Sequence, residues 1–209
     1  MKSYSQNAQD KWVASLFSED HQGFFFEMGA GDGVTFSNTK MLEDEFGWTG
    51  LLVEPHPGHF PALEANREYC LSSDAVVDCE EGEAEFWFRG SWISGIVAPD
   101  TKQARQCYKA KLRRARQRGT VRKVRTKPLE QVFEGFQVPS VVDYFSLDVE
   151  GAEWRILKNF PFDRWRFLSA TIEAPCANLQ ILLEKHGYAH VNTLGEDFCY
   201  IHPDIAKVR

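Results

Sequence analysis

Residues 24–33 read FFFEMGAGDG, and this stretch decides the fold class. The apolar run at 24–28 is typical of a strand that is buried on both faces, and glycines at alternate positions follow it. A second strand is predicted at 51–54, where two prolines follow, and a third at 75–78. Helical segments separate these strands, so the sequence predicts a doubly wound α/β domain with a parallel sheet.

The alternation of strands and helices continues along the chain. Helices are predicted over residues 5–18, 37–46, 62–67, 152–159 and 177–186. Further strands are predicted at 143–147, 167–172, 188–191 and 198–201, the last two as a closing antiparallel hairpin around Gly195. Residues 82–127 interrupt the pattern with a hairpin strand at 84–88 and a basic stretch. We therefore expect one domain over residues 1–209, with its N-terminal helix within residues 1–22 and an insertion at 82–127.

Composition supports one packed domain, because 43% of the 209 residues are hydrophobic and 13% are aromatic. No apolar run approaches the roughly 18 residues of a membrane span, and the first residues lack the apolar stretch of a secretory signal. We expect a cytoplasmic protein. The odd number of cysteines and the absence of a CxxC pair predict neither a disulfide framework nor a thiolate zinc site. Reduced thiols are expected at Cys70, Cys79, Cys107, Cys176 and Cys199.

The formal net charge of −6 conceals a strongly basic segment. Residues 102–127 carry 12 of the 24 Lys and Arg residues and no Asp or Glu. Tyr108, Leu112 and Ala115 form a thin apolar stripe at helical spacing within it. The segment is either a solvated helix or lid that neutralises the acidic body, or a docking surface for an anionic acceptor such as an acidic glycan, a nucleotide-linked sugar or RNA.

Charges around the glycine loop restrict what it can bind. A pyrophosphate would face the carboxylates of Glu27 and Asp32 with no Lys or Arg in the loop, which disfavours dinucleotides. The Lys and Ser/Thr of a phosphate-binding loop are also missing. A ligand with a cationic sulfonium or amine and its own carboxylate suits these acids and the backbone amides, and S-adenosylmethionine is such a ligand. The predicted loop contacts are Glu27, Gly29, Ala30, Gly31 and Asp32.

Acids at the ends of the next two predicted strands extend this cofactor site. Glu54, followed by Pro55, lies about 20 residues downstream, where an acid can accept hydrogen bonds from both ribose hydroxyls. Asp78, followed by Cys79, ends the predicted third strand and is placed to accept from an adenine amino group. The three strand-end acids could be unrelated features of an acidic protein, but their succession around a glycine loop favours a site.

The sequence YFSLDVEGAEW at 144–154 places three acids at the carboxyl end of the fourth strand, the edge where open α/β sheets bind ligands. Asp148 could act as general base toward an acceptor hydroxyl or orient it, and Glu150 lies beside it. Glu153 is either part of this site or a first-turn acid favoured by the helix dipole. Glu173 ends the fifth strand, so it and Asp148 could face one cleft and hold a divalent metal, although no third protein ligand stands out.

Several of these stretches resemble one known family. SQNAQDKWV at 5–13, FFFEMGAGDGVTFSNT at 24–39, GWTGLLVEPHP at 47–57 and YFSLDVEGAEWRIL at 144–157 are similar to the FkbM family of S-adenosylmethionine-dependent methyltransferases. The resemblance implies a Rossmann-like class I methyltransferase fold, with a seven-stranded, mostly parallel sheet and helices on both faces. It also implies O-methylation of a hydroxyl, often on a sugar or polyketide-like acceptor.

Position by position, the resemblance implies cofactor contacts at Glu27, Gly29, Gly31, Asp32, Glu54 and Asp78. It implies that Ser37 and Asn38 help to bind cofactor or acceptor, and that the reaction site holds Asp148, Glu150 and Glu153. Two departures are Ala8, where family members often have glycine, and EAPC at 173–176, where a histidine-bearing sequence is common. The second departure argues against a family-wide catalytic histidine at that position, while His56 and His59 stay alternative candidate bases.

Nucleic acid is not the expected acceptor. Base N-methylation usually employs an Asp/Asn-Pro-Pro-aromatic turn where this chain has DVEG, and cytosine carbon methylation needs a nucleophilic cysteine near the same strand. Cys176 follows the fifth strand instead and is interpreted as structural. A small-molecule or glycan acceptor is therefore expected. One different class of function stays open, in which the fold is retained and the basic segment 102–127 binds nucleic acid or another protein.

Overall fold

The structure, a computed structural model, describes residues 2–90, 92–102 and 108–208, and two sheets carry the fold of these residues. In chain order the strands are β1 (Phe24–Met28), β2 (Thr49–Val53), β3 (Leu71–Ser73), β4 (Val76–Val77), β5 (Gly82–Trp87), β6 (Gly95–Ile96), β7 (Val121–Lys127), β8 (Val141–Leu147), β9 (Arg166–Glu173), β10 (Ala189–Leu194) and β11 (Asp197–Ile201). The helices are α1 (Gln9–Ala14), α2 (Lys40–Phe46), α3 (Phe60–Asn66), α4 (Lys109–Gln117), α5 (Leu129–Gly135), α6 (Glu153–Leu157) and α7 (Ala177–Lys185), followed by a 3-10 helix (Pro203–Lys207).

The main sheet has seven strands in the order β10-β11-β9-β8-β1-β2-β3. Strands β3, β2, β1, β8 and β9 pair in parallel, and β11 is antiparallel to both β9 and β10. This is the mostly parallel sheet with a closing antiparallel hairpin that the sequence predicted. The strand order reverses between β1 and β8, so the topological switch point of the sheet lies beyond the carboxyl ends of these two strands.

Helices cover both faces of the main sheet, which is why most side chains of β1 and β8 are apolar. On one face Phe26, Phe145 and Phe167 pack against one another, with ring centroids 5.4 Å and 4.1 Å apart, and the same core includes side chains of α5, α6 and α7. On the other face Phe25 and Tyr144 belong to a core that includes side chains of α1, α2 and α3. The Rossmann-like α/β class is therefore confirmed.

A strand does lie within residues 75–78, but its predicted place as the third strand of the main sheet is wrong. The third strand of the main sheet is β3, whereas β4 pairs in parallel with β7 in the second sheet. Strand β3 lies at the edge of the main sheet, has only three residues, and leaves Leu71 46% exposed. A short edge strand needs no continuous apolar run, so the hydrophobic pattern did not reveal β3. The pattern instead predicted a main-sheet strand at the neighbouring buried residues Val76 and Val77.

Helices α1 and α2 are shorter than predicted because the residues before them bond elsewhere. Ser5 forms a parallel bridge with Phe36, so the chain is extended where residues 5–18 were predicted to be helical. Asn38 donates its backbone N–H to Glu27, and α2 begins at Lys40 rather than at Ser37. Helices α6 and α7 lie within the predicted ranges 152–159 and 177–186. Helix α3 begins two residues before the predicted range 62–67 and ends one residue before its end.

The second, small sheet has the strand order β4-β7-β5-β6 and belongs mostly to the predicted insertion. Its strand β7 was missed, because five of its seven side chains are those of Arg, Lys or Thr and only Thr126 is buried. Helix α4 confirms the helical spacing of the basic stretch, since Leu112 and Ala115 are buried in a small core with Trp87. Residues 103–107, including the predicted thiol Cys107, lie outside the described part of the chain.

Two further expectations concern membrane spans and thiols. No helix of the described residues is long and apolar enough to cross a membrane. Cys70, Cys79, Cys176 and Cys199 are free thiols, of which Cys199 is buried and Cys176 is exposed.

Candidate functional site

A cavity of about 320 Å³ opens at the carboxyl ends of the central strands of the main sheet. This volume falls in the range of about 300–1,000 Å³ that is common for small-molecule sites. The predicted residues that line it are Glu27, Gly29, Ala30, Gly31, Ser37, Asn38, Glu54, Pro55, His59, Asp148, Glu150 and Glu173. The small sheet covers one side of this cavity with Val76, Val77, Phe86 and Ile96. The main sheet and the insertion therefore build the site together.

The glycine loop after β1 packs too closely for side chains. Gly29 has a φ of +87°, and a Cβ there would lie 2.0 Å from the carbonyl oxygen of Asp148. Gly31 has a φ of +57°, and its Cβ would lie 2.6 Å from the Trp92 ring. At Gly33 the contacts are with Leu63 and Arg67, so this glycine serves packing of the fold rather than the cavity. The loop is thereby held against the backbone that directly follows β8.

Glu27 is buried at the cavity edge and its carboxylate is already occupied by the following loop. One oxygen accepts a hydrogen bond from the Asn38 backbone N–H at 2.8 Å, and the other accepts from Ser37 Oγ at 3.0 Å and Thr39 Oγ1 at 2.5 Å. Burial raises the pKa of Glu27, although the charge of Arg67 opposes that rise. Glu27 therefore fixes residues 37–39 at the cavity, a positioning role that its place in the sequence did not reveal.

Arg67 is a fully buried cation beneath the glycine loop, and sequence reasoning gave it no role. Its guanidinium forms an ion pair with Glu43 and lies 3.8 Å from the Glu27 carboxylate. It also donates to the Gly33 carbonyl oxygen at 3.1 Å and to Thr39 Oγ1 at 3.0 Å. The side chain joins α2, α3 and the loop, and it compensates two buried carboxylates.

Glu54 connects the ends of β1 and β2. Its carboxylate accepts hydrogen bonds from the backbone N–H of Gly31 at 2.9 Å and of His56 at 2.7 Å. Burial raises the pKa of Glu54. Each carboxylate oxygen accepts one of these bonds and has a second lone pair, so the side chain can also accept from a diol in the cavity.

Asp32 stabilises the turn that follows the glycine loop. It accepts hydrogen bonds from the backbone N–H groups of Val34 at 2.9 Å and Thr35 at 2.7 Å, and from Thr35 Oγ1 at 2.8 Å. Burial opposes the change, but these hydrogen bonds lower the pKa of Asp32. The predicted contact Asp32 does not line the cavity.

The structure does not bring Asp78 and Cys79 together with the other predicted cofactor contacts. Asp78 follows β4 of the small sheet, not the third strand of the main sheet, and both of its carboxylate oxygens accept from the Arg155 guanidinium at 2.9 Å. Arg155 also donates to Asp100 at 2.9 Å. These bonds tie the small sheet to α6, so Asp78 serves the junction between the sheets.

Asp148, directly after β8, lines the cavity among other carboxylates. Part of it is open to the cavity, yet the surrounding protein and the charges of Glu173 and Glu150 raise its pKa well above the ordinary range. Burial raises the pKa of Glu150, with a further contribution from Glu173. Burial also raises the pKa of Glu153 to about 7, although its carboxylate accepts from the Gly151 N–H at 3.0 Å.

Lys102 lies over this acidic cluster, and the sequence gave no sign of it. Its Nζ donates to both carboxylate oxygens of Glu173 at 2.5 Å and lies 3.7 Å from Glu150. A Cβ at Gly151 would lie 2.8 Å from the Lys102 backbone nitrogen, so this segment packs on the turn after β8. No group of three or more His, Cys, Asp or Glu among the described residues could hold a metal ion, and Glu173 of the suggested Asp148 and Glu173 pair is bonded to Lys102.

Polar residues from distant parts of the chain complete the cavity wall. Asn38 Nδ2 donates to Ser146 Oγ at 2.9 Å, and Gln9 of α1 donates to Asp197 of β11. All four side chains line the cavity, although only Asn38 was predicted. The hydrophobic patterns around Ser146, Gln9 and Asp197 predicted only secondary structure and gave no sign of a binding site.

Stacked rings form one rim of the cavity. Trp92 is 45% exposed, lies over Gly31, and stacks on His59 with ring centroids 4.6 Å apart. His56 lies 4.6 Å from His59, and burial together with the charge of His59 lowers the pKa of His56. Of the two histidines named as alternative bases, His59 therefore lines the cavity, whereas His56 contacts His59 and does not line the cavity.

Comparison with protein families gives one match. A model described as the methyltransferase FkbM domain matches residues 27–193, which confirms the resemblance deduced from the motifs. No curated protein matches the chain.

The solved structures that are similar to the chain at low sequence identity include three methyltransferases. A TehB-like SAM-dependent methyltransferase from Corynebacterium glutamicum is 10% identical, with 94% of this chain and 86% of that chain covered and a TM-score of 0.46. A delta-N METTL16 MTase domain is 11% identical, with coverages of 92% and 79% and a TM-score of 0.47. A precorrin-6y C5,15-methyltransferase from Geobacter metallireducens is 12% identical, with coverages of 96% and 90% and a TM-score of 0.44.

Proposed function

The chain belongs to the FkbM methyltransferase family, and from this premise we propose that it transfers a methyl group to a hydroxyl oxygen of a sugar, glycan or other small molecule. Family membership makes it an S-adenosylmethionine-dependent methyltransferase. The proposal of O-methylation rests on the position of Asp148, which lines the same cavity as the glycine loop. The pKa of this carboxylate is also raised well above the ordinary range.

The donor set of the cavity fits S-adenosylmethionine. Among the described residues six carboxylates and no Lys or Arg side chain line it, which favours a cationic ligand over a phosphate-bearing one. Glu54 would accept from the ribose hydroxyls, and Gly29 and Gly31 line the cavity beside it. Val77 and Ile96 offer apolar surface to an adenine ring. When bound, the cofactor supplies a methyl group on a positively charged sulfonium.

Asp148 is proposed to hold the acceptor hydroxyl and to take its proton. A general base works best when its pKa lies near the operating pH, and burial and neighbouring carboxylates raise the pKa of Asp148 in that direction. Lys102 is proposed as a positioning residue, because its bonds to Glu173 hold that carboxylate in place next to Asp148. Asn38 and Ser146 offer further polar groups for the acceptor or the cofactor.

Cofactor binding is tested by thermal unfolding and calorimetry with S-adenosylmethionine, S-adenosylhomocysteine and NAD. A ligand at about 100 times its dissociation constant adds about 2.7 kcal/mol to the free energy of unfolding. For a chain of about 200 residues this raises the midpoint by several degrees. We expect both adenosyl compounds to stabilise the protein and NAD to leave it unchanged. No midpoint shift and no heat with either adenosyl compound would contradict the cofactor assignment.

The role of Asp148 is tested with Asp148→Asn, which preserves shape and removes the base. Release of S-adenosylhomocysteine is measured with a panel of hexoses, oligosaccharides and sugar nucleotides as acceptors. We expect turnover to fall by about 10²–10⁴-fold, the usual contribution of a general base, with S-adenosylmethionine affinity unchanged. Asp163→Asn changes an exposed acid outside the cavity and is the matched control. Full turnover by Asp148→Asn would show that the base lies elsewhere.

A further inference from the structure

A second opening lies on the small sheet, outside the cavity described above. It is a groove of about 420 Å³ between β5 and α4, which we call the cationic groove. Four basic side chains line it: Arg89, Lys111, Arg114 and Arg118. Among the described residues no Asp or Glu lines it. It is an open groove, and its charge is opposite to that of the acidic cavity at the main sheet, which we call the reaction cavity.

The charges of the cationic groove lack carboxylate partners, unlike other charges of the same segment. Arg116 of α4 pairs with Glu85 at 2.6 Å, and Lys123 of β7 lies opposite Glu85 in the strand register. Within the described part of the chain, none of the four groove residues forms a salt bridge. Lys111, Arg114 and Arg118 are spaced three and four residues apart, an arrangement in which like charges destabilise a helix. A bound anion would remove this repulsion.

The frame of the groove is well packed. Leu112 and Ala115 of α4 are buried against Trp87 of β5, which fixes the helix on the strand. The Arg89 guanidinium lies 4.7 Å from the Trp87 ring centroid and 5.3 Å from that of Tyr108. Such stacking orients a guanidinium while it leaves the N–H donors at the edge of the plane available.

Arg89 also connects the groove to the reaction cavity. The segment that follows it contains Trp92 and Ile96, both of which line the cavity. Its charge acts on Glu150, because it opposes the rise in the pKa of Glu150 that burial causes. Phe88, which lines the groove, has its ring centroid 5.7 Å from that of His56, so the groove borders the aromatic rings at the cavity.

We propose that the cationic groove binds the phosphate groups of the methyl acceptor, which is a small phosphorylated molecule such as one carrying a diphosphate. This proposal rests on the proposed function. The six carboxylates of the reaction cavity repel phosphate, so such an acceptor must hold its phosphates outside the cavity and extend its hydroxyl toward Asp148. Arginine forms paired, charge-assisted hydrogen bonds with phosphate oxygens, and Arg89, Arg114 and Arg118 supply three guanidinium groups.

The test is calorimetric titration of pyrophosphate and UDP into the wild-type protein and two double variants at fixed low salt. Arg114→Gln with Arg118→Gln removes two charges from the groove. Lys109→Gln with Arg113→Gln removes two exposed charges from the same helix outside the groove and is the matched control. We expect affinity for both probes to fall at least about tenfold in the groove variant, since one lost bond to a charged group has that effect. The control variant should keep its affinity within about threefold.

Three outcomes would overturn the proposal. An equal loss of affinity in both double variants means that the probes bind through the overall positive charge of the helix and not in the groove. Absence of binding by either probe means that the groove takes no compact phosphate. Binding of a single-stranded RNA oligonucleotide without binding of pyrophosphate or UDP means that the surface serves a long polyanion. S-adenosylmethionine affinity, measured for the same proteins, reports on the proposed function separately, because the groove residues do not line the cofactor cavity.

Discussion

The reaction cavity and the cationic groove handle their charges in opposite ways. In the cavity Glu27 is 4% exposed and accepts three hydrogen bonds, whereas Arg114 and Arg118 of the groove are exposed and form no salt bridge with any described residue. Buried charges change pKa values and stability strongly, because water cannot screen them. Exposed charges contribute little to folding and are free for ligands. The charges of the cavity are therefore paired within the folded protein, whereas those of the groove remain available to a ligand.

The largest expected effect on stability tests the buried side of this comparison. Arg67→Met should cost about 3–5 kcal/mol of unfolding free energy, because it leaves the buried carboxylates of Glu27 and Glu43 without their cation. Chemical denaturation measures it. A cost under about 1 kcal/mol would mean that the network behaves like a surface ion pair.

Two glycine variants, one in the packed loop at the cavity and one in the exposed turn after α4, extend the comparison to the backbone. Gly29→Ala should cost about 3 kcal/mol, because the φ of +87° is strained for alanine and its Cβ would overlap the Asp148 carbonyl oxygen. Gly119→Ala, with a φ of +68° and no atom near its Cβ, should cost only about 1 kcal/mol. Denaturation of both variants checks the difference, and equal costs would contradict the close packing of the loop.

The raised pKa of Glu153 predicts a pH dependence of stability. Its value of about 7 in the folded protein exceeds the ordinary 4.5, so the folded state holds the proton more tightly. The proton therefore stabilises the fold below about pH 4.5, and this contribution is lost as pH rises to about 7. Glu153→Gln, which mimics the protonated form, should gain up to about 2–3 kcal/mol over the wild type by pH 8. Unfolding at pH 4 and pH 8 measures it, and a pH-independent difference would be the contrary result.

The smallest expected effect concerns an exposed pair near the groove. Arg116→Met removes the salt bridge with Glu85, in which both side chains are more than one third exposed. We expect a loss of about 0.2–1 kcal/mol that disappears in high salt. Denaturation at two salt concentrations checks it, with Arg67→Met as the buried counterpart. A loss above about 2 kcal/mol would erase the distinction between the two regions.

Sequence patterns were most informative where short segments act alone. The buried strand β1, the glycine loop and the acids after β2 and β8 could all be predicted, because burial on both faces and tight turns leave local signatures. The third strand could not be predicted, since β3 is short, partly exposed and at the sheet edge. Strand β7 was missed for a related reason, because its many cationic side chains leave no regular alternation of apolar and polar residues.

By itself the sequence determined the α/β class, the family and the loops that form the cavity, because each depends on neighbouring residues of defined spacing. Only the tertiary structure decided which charges meet. It paired Asp78 with Arg155 and placed Lys102 on Glu173, contacts between residues more than 70 positions apart. It also placed Arg89 beside Lys111, Arg114 and Arg118, which helical spacing alone brings together. Electrostatic partners are chosen by distance in space and by burial, and neither quantity can be read from the spacing of residues along the chain.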